Sequence, residues 1–516
     1  MSSLRDRLTS TRLFHAMLWL RNTQRMAGLV ADALERPAAV AAVDRKNILV
    51  PVMAWNDTDV PWFSIGAGLL LADAGHDVTF VVDDLPFGDD PLQQRFILTC
   101  IRRVMRGVAR RYPVVTLTGV APLAETPQSR PTPERIHELA ALNALRDLRG
   151  EMLTAGRAEK TKLFNDQLRL SARKVAAVLA NHRPDVVVVP GGIHASSGIW
   201  NESARAIGIR VATFDGGTNG TALWAMDGIA CHFADVPRAV DRFLADADDE
   251  LVDFATTAAQ SEMDARRAGT DRFGAQIQSS SAKAGLEGDY LVIALNVPWD
   301  TQALDRHKCF TSICEFIVET VRHVITTSAC HIVIRQHPAE RQKMTRSNDD
   351  YGALLRQNFG DHPQVHFIAA EEPVNSYVLI EGAKGTLVHT STIATEAVML
   401  GKATLTGAAP YFTRFGFVYG AATKDDYFNI LDRMIAGAVP PTADMRRLAR
   451  ILYYFSQSNG WITTPFNTGG FSRWGTMRFA DLSSAPEQKL LVDSVTRNIP
   501  ISWQNHELRL ARRAVA

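Results

Sequence analysis

The sequence predicts a two-domain α/β protein built from two successive Rossmann-like units with a cleft between them. Three observations carry this. Short uninterrupted apolar runs alternate with helical periodicity in both halves of the chain, the pattern of parallel strands covered by helices on both faces. The alternation stops between residues 235 and 288, where Ala, Asp, Ser and Gly become dense. At 516 residues and 46% hydrophobic composition, the chain exceeds what one core usually organises.

The first series opens with an amphipathic helix over residues 10–34, in which Leu13, Met17, Leu20, Met26, Leu29 and Leu34 recur among Arg21, Arg25 and Asp32. Packing on the domain is its commoner reading, and contact with a membrane surface the rarer one. A strand over Asn47–Ala54, a polar loop Trp55–Pro61, a helix Trp62–Ala74 and a strand Asp77–Val82 make a βαβ opening. Gly66 and Gly68 lack the spacing of a dinucleotide fingerprint and read as close-packing positions. A long helical stretch, Leu142–Ala180, feeds the buried-strand run Val186–Val189. Pro190-Gly191-Gly192, a helix near Ser196–Ile207 and a strand Ile209–Phe214 follow.

The second series runs through strands at Tyr290–Leu295, His331–Arg335, Val365–Ile368, Gly385–His389 and Ala403–Thr406, with helices near Phe310–Thr326 and Ile393–Leu400. Ser279–Ala284 reads as a linker. The expected divisions are an N-terminal helix (1–40), a first Rossmann-like domain (41–284), a second (285–455) and a C-terminal crossover or tail (456–516).

Lys and Arg (56) nearly balance Asp and Glu (55), a formal charge of +1 that gives no global reason for a nucleic-acid partner. Five scattered cysteines, without a CxxC pair or clustered histidines, indicate neither a disulfide framework nor a metal site, and a reducing cytoplasmic setting is expected. The apolar stretch Leu13–Leu20 is interrupted by Arg21, so a secretory leader is not expected. No run reaches the roughly 18 apolar residues of a membrane span. Walker-type, GxSxG and HExxH patterns do not occur.

Ligands of open α/β sheets sit beyond the carboxyl ends of the strands, so side chains directly after apolar runs are the first functional candidates. Asp215, with Gly216 and Gly217, follows the strand Ile209–Phe214 and could take a proton from a hydroxyl. The alternative is an Asp that only closes a turn. Arg335-Gln336-His337-Pro338 follows the strand His331–Ile334 and offers a cation and an imidazole suited to a phosphate, on a backbone stiffened by Pro338. His389-Thr390-Ser391-Thr392 precedes a helix with Glu396 in its first turns. Its hydroxyls could cap the helix or meet a phosphate. Asn296 and Gln302 lie in the loop after the first strand of the second domain. Gly191, Gly192 and Asp59 occupy loops expected to face an acceptor.

Phe214-Asp215-Gly216, Arg335-Gln336-His337-Pro338 and the block from Thr390 through Glu396, Gly401-Lys402, Gly407, Pro410, Tyr411 and Gly416 together resemble the capsule polysaccharide synthesis family of bacterial GT-B glycosyltransferases. That family includes Kdo transferases, and its motifs are related to those of sialyltransferases using CMP-activated sugars. The resemblance spans roughly residues 185–420. It implies a GT-B fold and an inverting transfer with Asp215 as base and His337 on the CMP phosphate. The Thr390–Thr392 group would assist the phosphate, with Glu396 near the nucleotide. No metal or resident cofactor is implied, the nucleotide sugar being a co-substrate. Phe214 stands where the family often has a first acid.

The implied partners are a nucleotide-sugar donor and a glycan acceptor, with peripheral contact to the inner membrane or polysaccharide export machinery as a further option. A UDP- or GDP-sugar transferase, a UDP-sugar 2-epimerase and a non-catalytic module of an export complex remain the alternatives.

Overall fold

The computed structural model describes residues 12–37, 39–55, 59–122, 131–216, 221–271, 288–463 and 475–515. The chain divides into two compact units. The first comprises residues 1–143, 159–235 and 461–516, and the second residues 144–158 and 236–460.

The described strands are β1 (Asn47–Met53), β2 (Asp77–Asp83), β3 (Val114–Thr116), β4 (Val186–Pro190), β5 (Arg210–Gly216), β6 (Thr221–Ala225), β7 (Tyr290–Ala294), β8 (His331–Arg335), β9 (Val365–Ile368), β10 (Gly385–Val388), β11 (Ala403–Thr406), β12 (Tyr419–Gly420) and β13 (Trp461–Thr463). In the first unit they form one sheet ordered β13-β6-β5-β4-β1-β2-β3. Strands β5 to β3 along that order are parallel, and β6 and β13 add antiparallel pairings at one edge. The second unit holds a wholly parallel sheet ordered β12-β11-β10-β7-β8-β9. In both sheets the chain starts in the middle, builds outward through two strands, and then restarts on the other side of the first strand. That is the Rossmann order, and it creates a switch point between β1 and β4 in one unit and between β7 and β10 in the other.

The apolar runs become strands because both faces are covered. In β1 every residue after Asn47 is buried, and β4 is buried throughout. The helix Val60–Asp73 carries Pro61 in its first turn, where the fixed φ of proline is suited, and buries eleven residues from Pro61 to Ala72. Gly68 lets it lie against β2, since a Cβ there would come within 2.4 Å of the Phe80 ring. In the second unit Ile293, Phe316, Ile317, Ile334 and Leu387 centre a core between the sheet and its helices. The helix Ile313–Thr327 is capped by Ser312, whose hydroxyl accepts the Glu315 N–H at 2.9 Å.

Several expectations are corrected. The first unit ends at Asp235, not near residue 284. The helices Val236–Asp246 and Asp249–Arg267 pack instead into the second unit, through Phe243 on Phe455 (5.3 Å between rings) and an ion pair from Arg266 to Glu396. The linker expected at Ser279–Ala284 lies outside the described residues. The long helical stretch is two helices, Pro133–Leu148 and Arg157–His182, broken at Arg149, whose φ of 54° no α-helix accepts. The N-terminal helix, Arg12–Glu35, is part of the first core through Trp19, Met26, Leu29 and Val30, while Leu13, Met17 and Leu20 stay exposed. After residue 460 the chain rejoins the first unit through β13 and the helices Phe479–Ser484, Pro486–Arg497 and Ile501–Val515.

Candidate functional site

In the second unit the switch point is built by the loops after β7 and β10. Asn296 and Thr390 lie two residues beyond their strands, and the Asn296 side-chain carbonyl accepts the Thr390 backbone N–H at 3.1 Å. Both residues are buried. The Thr390 hydroxyl, also buried, makes no hydrogen bond within the protein. Such a hydroxyl is held at a cost of about 1–3 kcal/mol, recovered when a ligand or water meets it. Beside it, His389 shares a hydrogen bond from Nε2 to His307 Nδ1 (3.1 Å), and its Nδ1 is buried without a partner in the protein. Burial, with the second imidazole alongside, pushes the His389 pKa down to about 3, so the ring is neutral.

On the other side of β7, His337 follows β8. Its Nδ1 accepts the Ala339 N–H at 3.2 Å, which caps the 3-10 turn Pro338–Arg341 and fixes the tautomer with the proton on Nε2. Burial first, and the neighbouring Arg335 guanidinium second, push its pKa down to about 4. His337 is thus a neutral imidazole with an Nε2–H to donate. Gln336 is partly engaged: its carbonyl accepts the Ala370 N–H at 3.2 Å and its amide donates to Glu340 at 3.2 Å.

Two expected phosphate or ribose contacts have other work. Arg335 is 2% exposed, and its guanidinium donates to the carbonyls of Ala369, Glu372 (3.4 Å) and Val374 (3.1 Å). It fastens the loop after β9. Glu396 is equally committed. Arg266 donates to one carboxylate oxygen at 2.7 Å and the Tyr377 hydroxyl to the other at 2.8 Å, joining helices Asp249–Arg267, Ser376–Gly382 and Ile393–Met399.

The remaining positions differ in kind. Ser391 and Thr392 accept from Ala394 and Thr395 through their backbone carbonyls (both 3.1 Å), and the Thr392 side chain makes no cap. The backbone N–H of Gln302 donates to Asp300 at 3.1 Å, and the residue is half-buried in the loop. Pro338 opens the 3-10 turn.

In the first unit, Asp215 is the penultimate residue of β5. One carboxylate oxygen accepts the Cys231 thiol at 3.0 Å and the other the Gly216 N–H at 2.9 Å. Phe214, in place of a first acid, is core: its ring packs on Trp224 with centroids 4.9 Å apart at a tilt of 33°. Gly191 and Gly192 directly follow β4 with φ of 67° and 102°, a left-handed backbone that glycine adopts without strain. The Gly191 N–H donates to Phe214 O at 2.8 Å, and a Cβ on Gly191 would lie 3.4 Å from Trp55 beyond β1, across that unit's own switch point. Asp59 precedes the helix Val60–Asp73, accepting from Trp62 and Phe63 through its carbonyl. Gly216 is exposed, and Gly217 lies outside the described residues.

Sequence reasoning passed over Cys231, which no motif marks, and Asp83 at the end of β2. Asp83 is buried, accepts the Ser196 hydroxyl, and has its pKa raised by burial to about 6. The same strand-end rule that singled out Asp215 applies to Asp83. Among the described residues no group of His, Cys, Asp or Glu is arranged to hold a metal, and no helix is long and apolar enough to cross a membrane.

Among curated proteins, none matches this sequence. Solved structures that resemble it include two of Thermosulfurimonas dismutans KpsC. The β-Kdo 2,7-transferase is 15% identical with a TM-score of 0.31, covering 52% of this chain and 80% of that one. The β-Kdo 2,4-transferase is 14% identical with a TM-score of 0.33, covering 52% and 79%. The S. aureus MnaA–UDP co-structure is 12% identical with a TM-score of 0.27, covering 71% and 94%. The fold assignment rests on the two strand orders themselves. Residues 249–428, which run from the helix Asp249–Arg267 through β12 and hold Asn296, His337 and Thr390, match the family described as capsule polysaccharide biosynthesis protein.

Proposed function

We propose that the protein is an inverting glycosyltransferase of capsule or related surface-polysaccharide assembly, moving a Kdo-like or other CMP-activated sugar onto a glycan acceptor on the cytoplasmic side. The observation that carries the reading is the buried Thr390 hydroxyl, held without a protein partner beside Asn296 at the point where the strand order reverses. A Rossmann unit binds the phosphates of a nucleotide at that point. The family match over residues 249–428 supplies the class of process.

In this reading the Thr390 hydroxyl and the Nε2–H of His337 donate to the donor's phosphate, with Asn296 fixing the loop that presents Thr390. Neutral donors suit this task, because they stabilise charge that grows on the phosphate as the sugar leaves. Asp215 accepts the proton of the acceptor hydroxyl. The acceptor oxygen forms its bond to the anomeric carbon as the bond from that carbon to the phosphate oxygen breaks, and CMP departs with the electron pair.

The test is an assay of CMP release and glycan extension with CMP-activated, UDP- and GDP-sugars, with and without acceptor. Acceptor-dependent CMP release, abolished by Asp215→Ala while CMP still binds, is the expected result. Turnover of a UDP-sugar alone without acceptor would assign a 2-epimerase instead and overturn the reading. Near wild-type transfer by Asp215→Ala would remove the base.

A further inference from the structure

We infer that the paired helices Arg12–Glu35 and Pro91–Val108 of the first unit form a docking surface for an anionic lipid bilayer. On the first helix Leu13, Met17 and Leu20 are 72%, 61% and 52% exposed. Single exposed apolar side chains need no explanation, but these three share one face. The same face continues along the helix, past Gln24, to Ala27, Ala31 and Leu34. Those last three line a groove of about 400 Å³ against the second helix.

The opposite wall of that groove is cationic. Arg103, Arg106 and Arg110 line it, spaced along one side of the helix and its C-terminal turn. Pro91–Val108 also carries Arg95 and contains no Asp or Glu, Arg102 being paired with Asp84 at 2.8 Å, and Leu92 at its start is 72% exposed. An apolar ridge about 30 Å long, flanked by arginines, is the composition of a helix lying in the headgroup region of a membrane. The leucines and methionine enter the acyl boundary while the arginine stems reach the phosphates.

Charge selects the occupant. In a symmetric contact with a second copy the same arginine row would recur on both sides, with like charges brought together. A bilayer bearing anionic headgroups neutralises the row, each arginine strengthening partition about fivefold. Docking is independent of the proposed transfer reaction, since none of these residues belongs to the crevice or to β5.

Sedimentation of the full chain with vesicles tests this. Binding to phosphatidylcholine vesicles containing phosphatidylglycerol, and none to phosphatidylcholine alone, is expected at moderate salt. The combined Arg103→Glu, Arg106→Glu and Arg110→Glu variant should lose binding by about a hundredfold, and the Lys versions should retain it. Leu13→Ser, Met17→Ser and Leu20→Ser together should lose it about tenfold or more. All variants alter exposed positions, and unchanged thermal unfolding checks that they fold. Equal sedimentation with both lipids, or triple variants that bind as wild type, overturns the inference. So does a concentration-dependent dimer, seen by light scattering, that the Leu13/Met17/Leu20 variant abolishes: the face then belongs to a second copy.

Discussion

The side-chain carbonyl of Asn296 accepts the backbone N–H of Thr390 at 3.1 Å, which ties together the two loops that diverge from neighbouring strands β7 and β10. The bond leaves the Thr390 side chain fixed but its hydroxyl uncommitted. Thr390→Val keeps the shape and removes the hydroxyl. It should weaken nucleotide binding roughly tenfold by titration calorimetry without lowering the melting temperature, since a buried hydroxyl lacking a partner costs about 1–3 kcal/mol. Asn296→Ala should do the reverse in part, destabilising the unit by about 1–3 kcal/mol by orphaning a buried N–H. Unchanged nucleotide affinity in Thr390→Val would detach the hydroxyl from the ligand.

Glu396 tests whether an acid near the nucleotide binds ribose or holds the fold. Both its oxygens are taken by Arg266 and Tyr377. Glu396→Ala leaves the buried Arg266 with Asp271 (2.9 Å) as its remaining ion-pair partner and takes the acceptor from the Tyr377 hydroxyl, and should cost about 1–3 kcal/mol of stability. Tyr377→Phe should cost about 1–2 kcal/mol. In protein that remains folded at low temperature, nucleotide affinity should stay within about threefold of wild type, a small fraction of what losing a direct charged contact costs. A large loss of affinity in stable protein would restore the ribose contact.

pH should act on His337 and Asp83 in opposite directions. His337 has its pKa lowered from 6.5 to about 4 in the folded protein, so the unfolded chain binds its proton first as pH falls. Stability is full near neutrality and declines between pH 6.5 and 4, by an amount of the order of 3 kcal/mol. Asp83, raised from 3.8 to about 6, runs oppositely: the folded state keeps its proton longer, and its contribution is full below pH 3.8 and lost as pH rises to 6. Asp83→Asn should therefore raise the melting temperature by several degrees at pH 8 and leave it unchanged at pH 3.5. His337→Gln should flatten the acid decline. Calorimetric scans across pH 3.5–8 would show both, and an Asp83→Asn gain that is the same at both extremes would refute the linkage.

Backbone geometry distinguishes the glycines. At Gly192, φ is 102° and a Cβ would lie 3.2 Å from Ile229 and 3.3 Å from Thr213, so Gly192→Ala should cost about 1–3 kcal/mol. Gly216 meets nothing within 4 Å, and Gly216→Ala should leave the melting temperature within about 1 °C of wild type. Equal thermal shifts for the two would contradict the left-handed assignment after β4.

What the sequence disclosed follows from how far apart the determinants lie. The strands His331–Arg335 and Val365–Ile368 were legible to the residue, as short runs rich in β-branched and aromatic residues between polar loops. The three-residue β3, half-buried throughout, gave no such signal. Strand β13 is an edge piece, defined by its pairing with β6 more than two hundred residues earlier. At the crevice, Asn296 and Thr390 could be picked out because the strand-end rule is local. The direction of the Arg335 side chain could not, as it is set by carbonyls of residues 369–374. The fate of Glu396 depends on Arg266, 130 residues away. Cys231 reaches Asp215 only because β6 turns back along β5.

Strand β13, only Trp461–Thr463, has a consequence for biogenesis. It closes the edge of the first sheet against β6, yet it is synthesised after every strand of the second. On the ribosome, residues 236–460 can collapse on their own core while the earlier sheet still presents β6 as an open edge, a site for mispairing. A nascent-chain stall before residue 463, or a tag that frays β13, would thus be felt in the half of the protein translated first.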